Sequence, residues 1–136
     1  MNEYLTITQF IRLLSDQPAE KTDDVILRSA FEAGWIESQD LSDPGRIVRR
    51  IDAARITHLY LLHVKCMNDI EDISGAGVLV DLYDCRICVN HIAQVYLRGL
   101  MNGVCLHSGK NQSLIFDSQS LAEKADLLDI LYRIRL

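Results

Sequence analysis

Apolar residues recur at helical spacing at Ile7, Phe10, Ile11 and Leu14, which predicts a first helix over 6–14 with Thr6 or Thr8 as its cap. Residues 15–21 contain Pro18 and read as a linker. A second helix is expected from Asp23 to Ala33, with Asp23 and Asp24 in the first turn where the helix dipole favours them. Gly34 suits a left-handed C-terminal stop, and Trp35-Ile36 would fold back on the helix just ended. Asp43-Pro44-Gly45 is a turn signal. Residues 51–64 form the strongest helix of the first half, with Ile51, Ala54, Ile56, Leu59 and Leu62 as a broad apolar stripe.

The polar stretch Asp69 to Gly77 separates two halves. Val78 to Tyr83 reads as a short helix, and Asp84 as the cap of a long one reaching Leu97 or Met101 and stopping at Gly99 or Gly103. Val104-Cys105-Leu106 and Leu114-Ile115-Phe116 flank Ser108-Gly109-Lys110-Asn111, the pattern of a β-hairpin over 104–116. Ser120 with Glu123 three residues on is a capping-box pattern that would open a last helix to Ile134.

The two halves repeat one another in outline: a helix with a glycine stop, a polar loop, and a second helix. Gly34 and Gly99 lie 65 residues apart and Asp52 and Glu123 lie 71 apart, so the hairpin would absorb about six extra residues. The segment Val48-Arg49-Arg50-Ile51-Asp52-Ala53-Ala54 resembles the Ile-Thr-Arg-Ala-Glu signature of the S-layer homology domain, with Arg50 in the arginine place and Asp52 in the acidic place. Asp69-Ile70-Glu71-Asp72-Ile73 is similar to the opening of that family's next repeat. Residues 94–103 are similar to the segment where its first helix ends and turns. The resemblance covers 22–134.

It implies a mainly α fold: two helix–loop–helix repeats (about 22–66 and 69–134) in a single domain over 1–136, preceded by the N-terminal helix. It also implies non-catalytic binding of a bacterial cell-wall polymer, usually through three repeats. The chain departs from that plan. Leu121 falls in the arginine place of the second repeat, no third repeat is recognisable, and no export signal is seen. A missing third repeat would leave an apolar edge that a homodimer could cover.

With 136 residues, nearly half of them apolar and about a quarter charged, the chain has the composition of one globular domain. A net charge of −5 argues against broad affinity for nucleic acid or anionic membrane, which need a basic face. No apolar run approaches the roughly 20 residues needed to span a bilayer. Without a signal peptide the expected compartment is cytoplasmic, where Cys66, Cys85, Cys88 and Cys105 would be reduced thiols.

Candidate chemistry is sparse. Arg46, Arg49, Arg50 and Arg55 concentrate positive charge at one helix start, as a solvated face paired with Asp43 and Asp52 or as an anion pocket. In the pocket reading Arg50 grips a carboxylated or saccharide ligand, Asp52 holds Arg50, Arg49 assists, and Trp35 forms an apolar wall. Cys85-Arg86-Ile87-Cys88 reads first as core packing. Its alternative is a zinc-stabilised structural module completed by His63 and Cys66, or by Cys105 and His107. His58 is expected at a helix edge with a hydrogen-bond partner. No nucleophile–base pair, phosphate loop or paired-carboxylate motif stands out, so neither catalysis nor a cofactor is expected. The expected partner is a protein or an anionic saccharide or carboxylate.

Overall fold

A computed structural model describes residues 2–135. The chain is mainly α-helical, with helices α1 (Ile7–Ser15), α2 (Asp23–Glu32), α3 (Ser38–Ser42), α4 (Arg50–His63), α5 (Val89–Leu97) and α6 (Lys124–Arg135). Strands β1 (Val104–Ser108) and β2 (Asn111–Ile115) form one antiparallel hairpin, with Val104 opposite Ile115 and Ser108 opposite Asn111. Helix α2 packs on α1 and α5 packs on α4. One continuous core runs through them, from Ile7, Phe10 and Ile11 to Phe116, Leu127 and Ile130.

The local signals explain the element ends. Thr6 Oγ1 accepts from the Gln9 amide (3.2 Å) while the Gln9 side chain accepts from the Thr6 amide (2.9 Å), a capping box that starts α1. Thr22 caps α2 by accepting from the Val25 amide alone, with no reciprocal bond. At the end of α2 the Gly34 amide donates to Phe31 and the Trp35 amide to Ala30, with Gly34 at φ +90°. At the end of α5 the Gly99 amide donates to Tyr96 and the Leu100 amide to Val95, with Gly99 at φ +72°. Both ends are Schellman motifs, which need a left-handed residue best supplied by glycine. Each then buries the two residues that follow, Trp35-Ile36 and Leu100-Met101.

Helices α1, α4 and α6 each follow a short extended segment, and these three segments pair in a ring. Thr6 bridges Ile47, Arg49 bridges Leu121, and Glu123 bridges Tyr4. The hydrogen bonds repeat around the ring: Ile7 N to Arg46 O (2.9 Å), Arg50 N to Ser120 O (2.8 Å) and Lys124 N to Glu3 O (2.8 Å). Thr6, Arg49 and Glu123 therefore occupy equivalent helix-cap positions, and their carbonyls accept from Phe10, Ala53 and Leu127 respectively. In this register the residue equivalent to Arg50 is Lys124, and Asp126 is equivalent to Asp52. The sequence alignment of Asp52 with Glu123, and of Leu121 with the arginine place, is displaced by three residues. The N-terminal helix, unassigned to either repeat from the sequence, is the third member of the ring.

The displacement has a physical cause. Residues 121–123 are extended because their backbone pairs with Arg49 and Tyr4. Helix α6 consequently opens at Lys124, and Ser120 donates its hydroxyl to Asp117 (2.6 Å) instead of capping. The expected long helix from Asp84 is also shorter. Cys85 takes an extended backbone (φ −125°, ψ 105°), and 82–84 and 86–88 are separate 3-10 turns, so α5 starts at Val89. The short helix expected over 78–83 is replaced by 3-10 turns at 74–78 and 82–84. Helix α3, inside the polar loop after Ile36, was not foreseen. Finally, α4 has no simple stripe. It is the central helix, and Asp52, Arg55, Thr57 and His58 are buried alongside Ala53, Ala54 and Ile56.

Candidate functional site

Three polar groupings surround α4, and each determines what the sequence-derived candidates can do. The first is a charge cluster. Asp40 of α3, wholly buried, accepts two hydrogen bonds from the Arg55 guanidinium at 2.8 and 2.9 Å and one from Arg46 at 2.8 Å. Its other oxygen also accepts from the Glu37 amide at 2.8 Å. Arg46 and Arg55 lie 3.3 and 3.4 Å from Asp52, which accepts from the Arg49 amide at 3.0 Å and so closes the start of α4. Burial works against ionisation of Asp40, but the hydrogen bonds from Arg55 and the Glu37 amide outweigh it and hold the carboxyl below its ordinary range. Burial likewise opposes the charge on Arg55, and Asp40 more than offsets it. This is a bidentate pair with every charge answered internally.

The second grouping is built on Arg50. Its Nε donates to the Phe116 carbonyl at 2.7 Å and a terminal nitrogen donates to the Asn102 carbonyl at 2.6 Å. The guanidinium lies 4.8 Å over the Phe116 ring, with Asp126 at 3.9 Å. Arg50 thereby ties α4 to the turn after α5 and to the end of β2. Arg49 donates to the Gln119 side chain at 2.8 Å. Of the expected ligand residues Arg49, Arg50, Asp52 and Trp35, Arg50 and Asp52 are hydrogen-bonded within the fold, and Arg50 also lines a small cleft of about 140 Å³ with Asp126 and Asp129. Trp35 is not beside them. It meets Tyr60 edge-on with ring centroids 5.0 Å apart, and Tyr60 lies ten residues beyond Arg50, about 15 Å along α4.

Trp35 and Tyr60 instead form the inner wall of a groove of about 240 Å³ between the end of α1, α2 and α4. Its rim carries Ser15, Gln17, Lys21 and Ser29. Lys65, outside the groove, lies 5.9 Å over the Tyr60 ring. An apolar wall with a few polar groups and a lysine is suited to a small ligand bearing one anionic group.

The third grouping joins α4, the following loop and α5. His58 Nε2 lies 2.7 Å from Asp69, and His58 Nδ1 lies 2.8 Å from His91 Nδ1. An ionised carboxylate can only accept, so His58 Nε2 carries a proton and, in neutral His58, Nδ1 accepts from His91. Asn90 donates to Asp69 (2.9 Å), and buried Gln94 holds both the amide and the carbonyl of Ile70 at 2.9 Å. Burial, with His58 and Arg55 adding to it, pushes His91 down to about 4. Burial opposes the charge on Asp69 too, but hydrogen bonds from His58 and Asn90 keep that carboxyl below its ordinary value. His58 is buried rather than at a helix edge. The i,i+4 pair Asn90 and Gln94, one turn apart on α5, was the available sequence signal for this network.

Cys88 is buried in the core and Cys85 packs against it, as the core-packing reading expects, but the two are not reduced thiols. Cys85 and Cys88 are joined in a disulfide, so neither offers a thiolate, while Cys66 and Cys105 are free and exposed. His63 lies against Gly34 instead, its ring 3.8 Å from where a β-carbon would be. Among the described residues no group of three His, Cys, Asp or Glu side chains is arranged to hold a metal ion, so the set Cys85, Cys88, His63 and Cys66 is not assembled. Among the described residues no helix is long and apolar enough to cross a membrane. Comparison of the chain with models of protein families, with characterised proteins and with solved structures finds no match.

Proposed function

We propose that the chain is a non-catalytic binding module on a scaffold of the S-layer-homology kind, and that the groove walled by Trp35 and Tyr60 receives a small carboxylated or saccharide group. The observation that carries the reading is the groove's lining: two aromatic rings on the inner wall, Lys21 on the rim, and hydroxyl and amide groups from Ser15, Ser29 and Gln17. Aromatic surface takes the apolar face of a ring, and a lysine at the rim pairs with a carboxylate. The scaffold part of the reading is supported by the ring of three equivalent helix starts and by the two glycine-stopped outer helices. The arginine–aspartate cluster serves that scaffold, because its charges are already paired.

Trp35 is the sole tryptophan, so its fluorescence reads the groove directly. Titration with glucuronate should give a saturable change that glucose does not give. Lys21→Glu should remove the response while leaving the thermal midpoint unchanged. If neither glucuronate nor a simple carboxylate perturbs Trp35, the assignment of this groove to an anionic ligand fails.

A further inference from the structure

The Cys85–Cys88 disulfide belongs neither to the polar networks around α4 nor to the groove at Trp35. A crosslink stabilises a fold more the longer the loop it closes. This one spans only two intervening residues, so it restricts the unfolded chain little. The turn it closes is also held without it, because the Cys88 amide donates to the Cys85 carbonyl at 3.1 Å. Before the cysteines, Leu79 and Leu82 are in the core, and Asp81 accepts from the Phe116 and Asp117 amides at 2.7 and 2.8 Å. After them, Ile92 and Val95 of α5 are buried. The segment is therefore anchored on both sides of the disulfide. Breaking the bond leaves the two α-carbons 5.2 Å apart, within the range that a disulfide bridges.

The two cysteines are not equivalent. Cys88 is 8% exposed and is the N-cap of α5, where the helix dipole favours a thiolate over a thiol. Cys85 is half-buried, in extended backbone just outside the helix. Attack is thus favoured at Cys85, with Cys88 as the leaving sulfur. The approach is open. Ile87, between the cysteines, is 89% exposed, and Tyr83 and Val80 on the same segment are 70% and 66% exposed.

We propose that Cys85–Cys88 is a thiol–disulfide exchange site at which the chain oxidises a dithiol. One sulfur of the dithiol attacks Cys85 Sγ as a thiolate, the Cys85–Cys88 bond breaks, and Cys88 Sγ departs with the electron pair. The dithiol's second sulfur, once deprotonated, attacks the first in this mixed disulfide and expels Cys85 as a thiolate. The dithiol loses two electrons and becomes a disulfide, while the chain gains them and ends as two thiols, taking up the two protons released. The chain is a stoichiometric reactant in this step, and the assignment stands or falls independently of the groove at Trp35.

The test uses the full chain carrying Cys66→Ser and Cys105→Ser, which removes the two free, exposed thiols. Equimolar dithiothreitol should reduce this protein at least about tenfold faster than it reduces oxidised glutathione, with unchanged circular dichroism. With Cys88→Ser added, Cys85 should be captured by oxidised glutathione at least about tenfold faster than Cys88 is when Cys85→Ser is added instead. The dithiothreitol rate alone decides the matter if serine at the buried position 88 prevents folding. Reduced ribonuclease supplies a protein dithiol beside the small one. Ile87→Lys should slow the reaction with ribonuclease and leave that with dithiothreitol unchanged, and equal rates for both would make the source a small dithiol. Reduction by dithiothreitol less than tenfold faster than that of oxidised glutathione, reduction only after unfolding in urea, or faster capture at Cys88 than at Cys85 overturns the proposal.

Discussion

Replacing Asp40 by alanine should be among the most destabilising single substitutions in the chain. The carboxylate is wholly buried, and its removal strands the two nitrogens of Arg55 at 2.8 and 2.9 Å and that of Arg46 at 2.8 Å. The Arg55 side chain is itself only 7% exposed, so water cannot replace the lost partner. Breaking a buried ion pair from one side costs about 3–5 kcal/mol, a large share of the roughly 5–15 kcal/mol that holds a domain together. The Glu37 amide loses its acceptor as well. A double variant, Asp40→Leu with Arg55→Met, removes one charge of each sign and leaves Arg46 with Asp52 at 3.3 Å, so it should be more stable than the single variant. Urea unfolding followed by circular dichroism measures both. The carboxyl titrates below its ordinary value in the fold, so its contribution is present above about pH 4 and is lost as pH falls through the folded value. A cost below about 1 kcal/mol for Asp40→Ala, or a double variant as costly as the sum of the singles, would refute the account of the cluster as a buried network.

Three further outcomes follow from other parts of the fold. Gly34→Ala and Gly99→Ala should each cost about 1–2 kcal/mol in urea unfolding, because φ of +90° and +72° strains a β-carbon, while the space is open at Gly99 and the His63 ring is at ordinary contact distance, 3.8 Å, at Gly34. Gly103→Ala should cost about 1–3 kcal/mol for a different reason, since its β-carbon would sit 2.7 Å from Leu114 Cγ and 3.0 Å from Leu79; a companion Leu114→Ala should lessen the cost if crowding is the cause. His91, held down to about 4 chiefly by burial, gives stability that is full above pH 6.5 and lost as pH falls toward 4. The gap sets a ceiling of about 3 kcal/mol, reduced to about 1–2 by solvent screening of the partly exposed ring. His91→Phe should flatten that slope in thermal melts across the window, and an unchanged slope would remove His91 from the explanation.

How much of this was legible in the sequence depends on the range of each signal. Caps and stops act within one turn, and they located α1, α2, the two glycine ends and the hairpin. The start of α6 was misplaced because Ser120–Glu123 satisfies the capping pattern locally, whereas the competing interaction is backbone pairing with Arg49 and Tyr4, more than 70 residues away in the chain for the one and nearly 120 for the other. The partners of Arg50 were hidden for the same reason. Arg50 looks free in the sequence, and only the return of 102–116 to the side of α4 supplies the two carbonyls that occupy it.

The misreading of α4 has a more general cause. A helix with neighbours on every side cannot confine its polar residues to a solvent face, so it must either be apolar all round or answer each polar group internally. Helix α4 follows the second course at its charged and imidazole groups: Asp40 answers Arg55, two carbonyls answer Arg50, and Asp69 with His91 answers His58, while the buried Thr57 hydroxyl is left without a partner among the described residues. Its mixed sequence therefore signals central placement rather than a binding face. Helix α6 is the converse case, with apolar Leu128 and Tyr132 at positions that α1 and α4 bury. Buried charge on α4 and exposed apolar surface on α6 thus give one consistent account. The charged and imidazole groups of α4 are held inside by partners from other elements, and apolar Leu128 and Tyr132 of α6 remain at the surface.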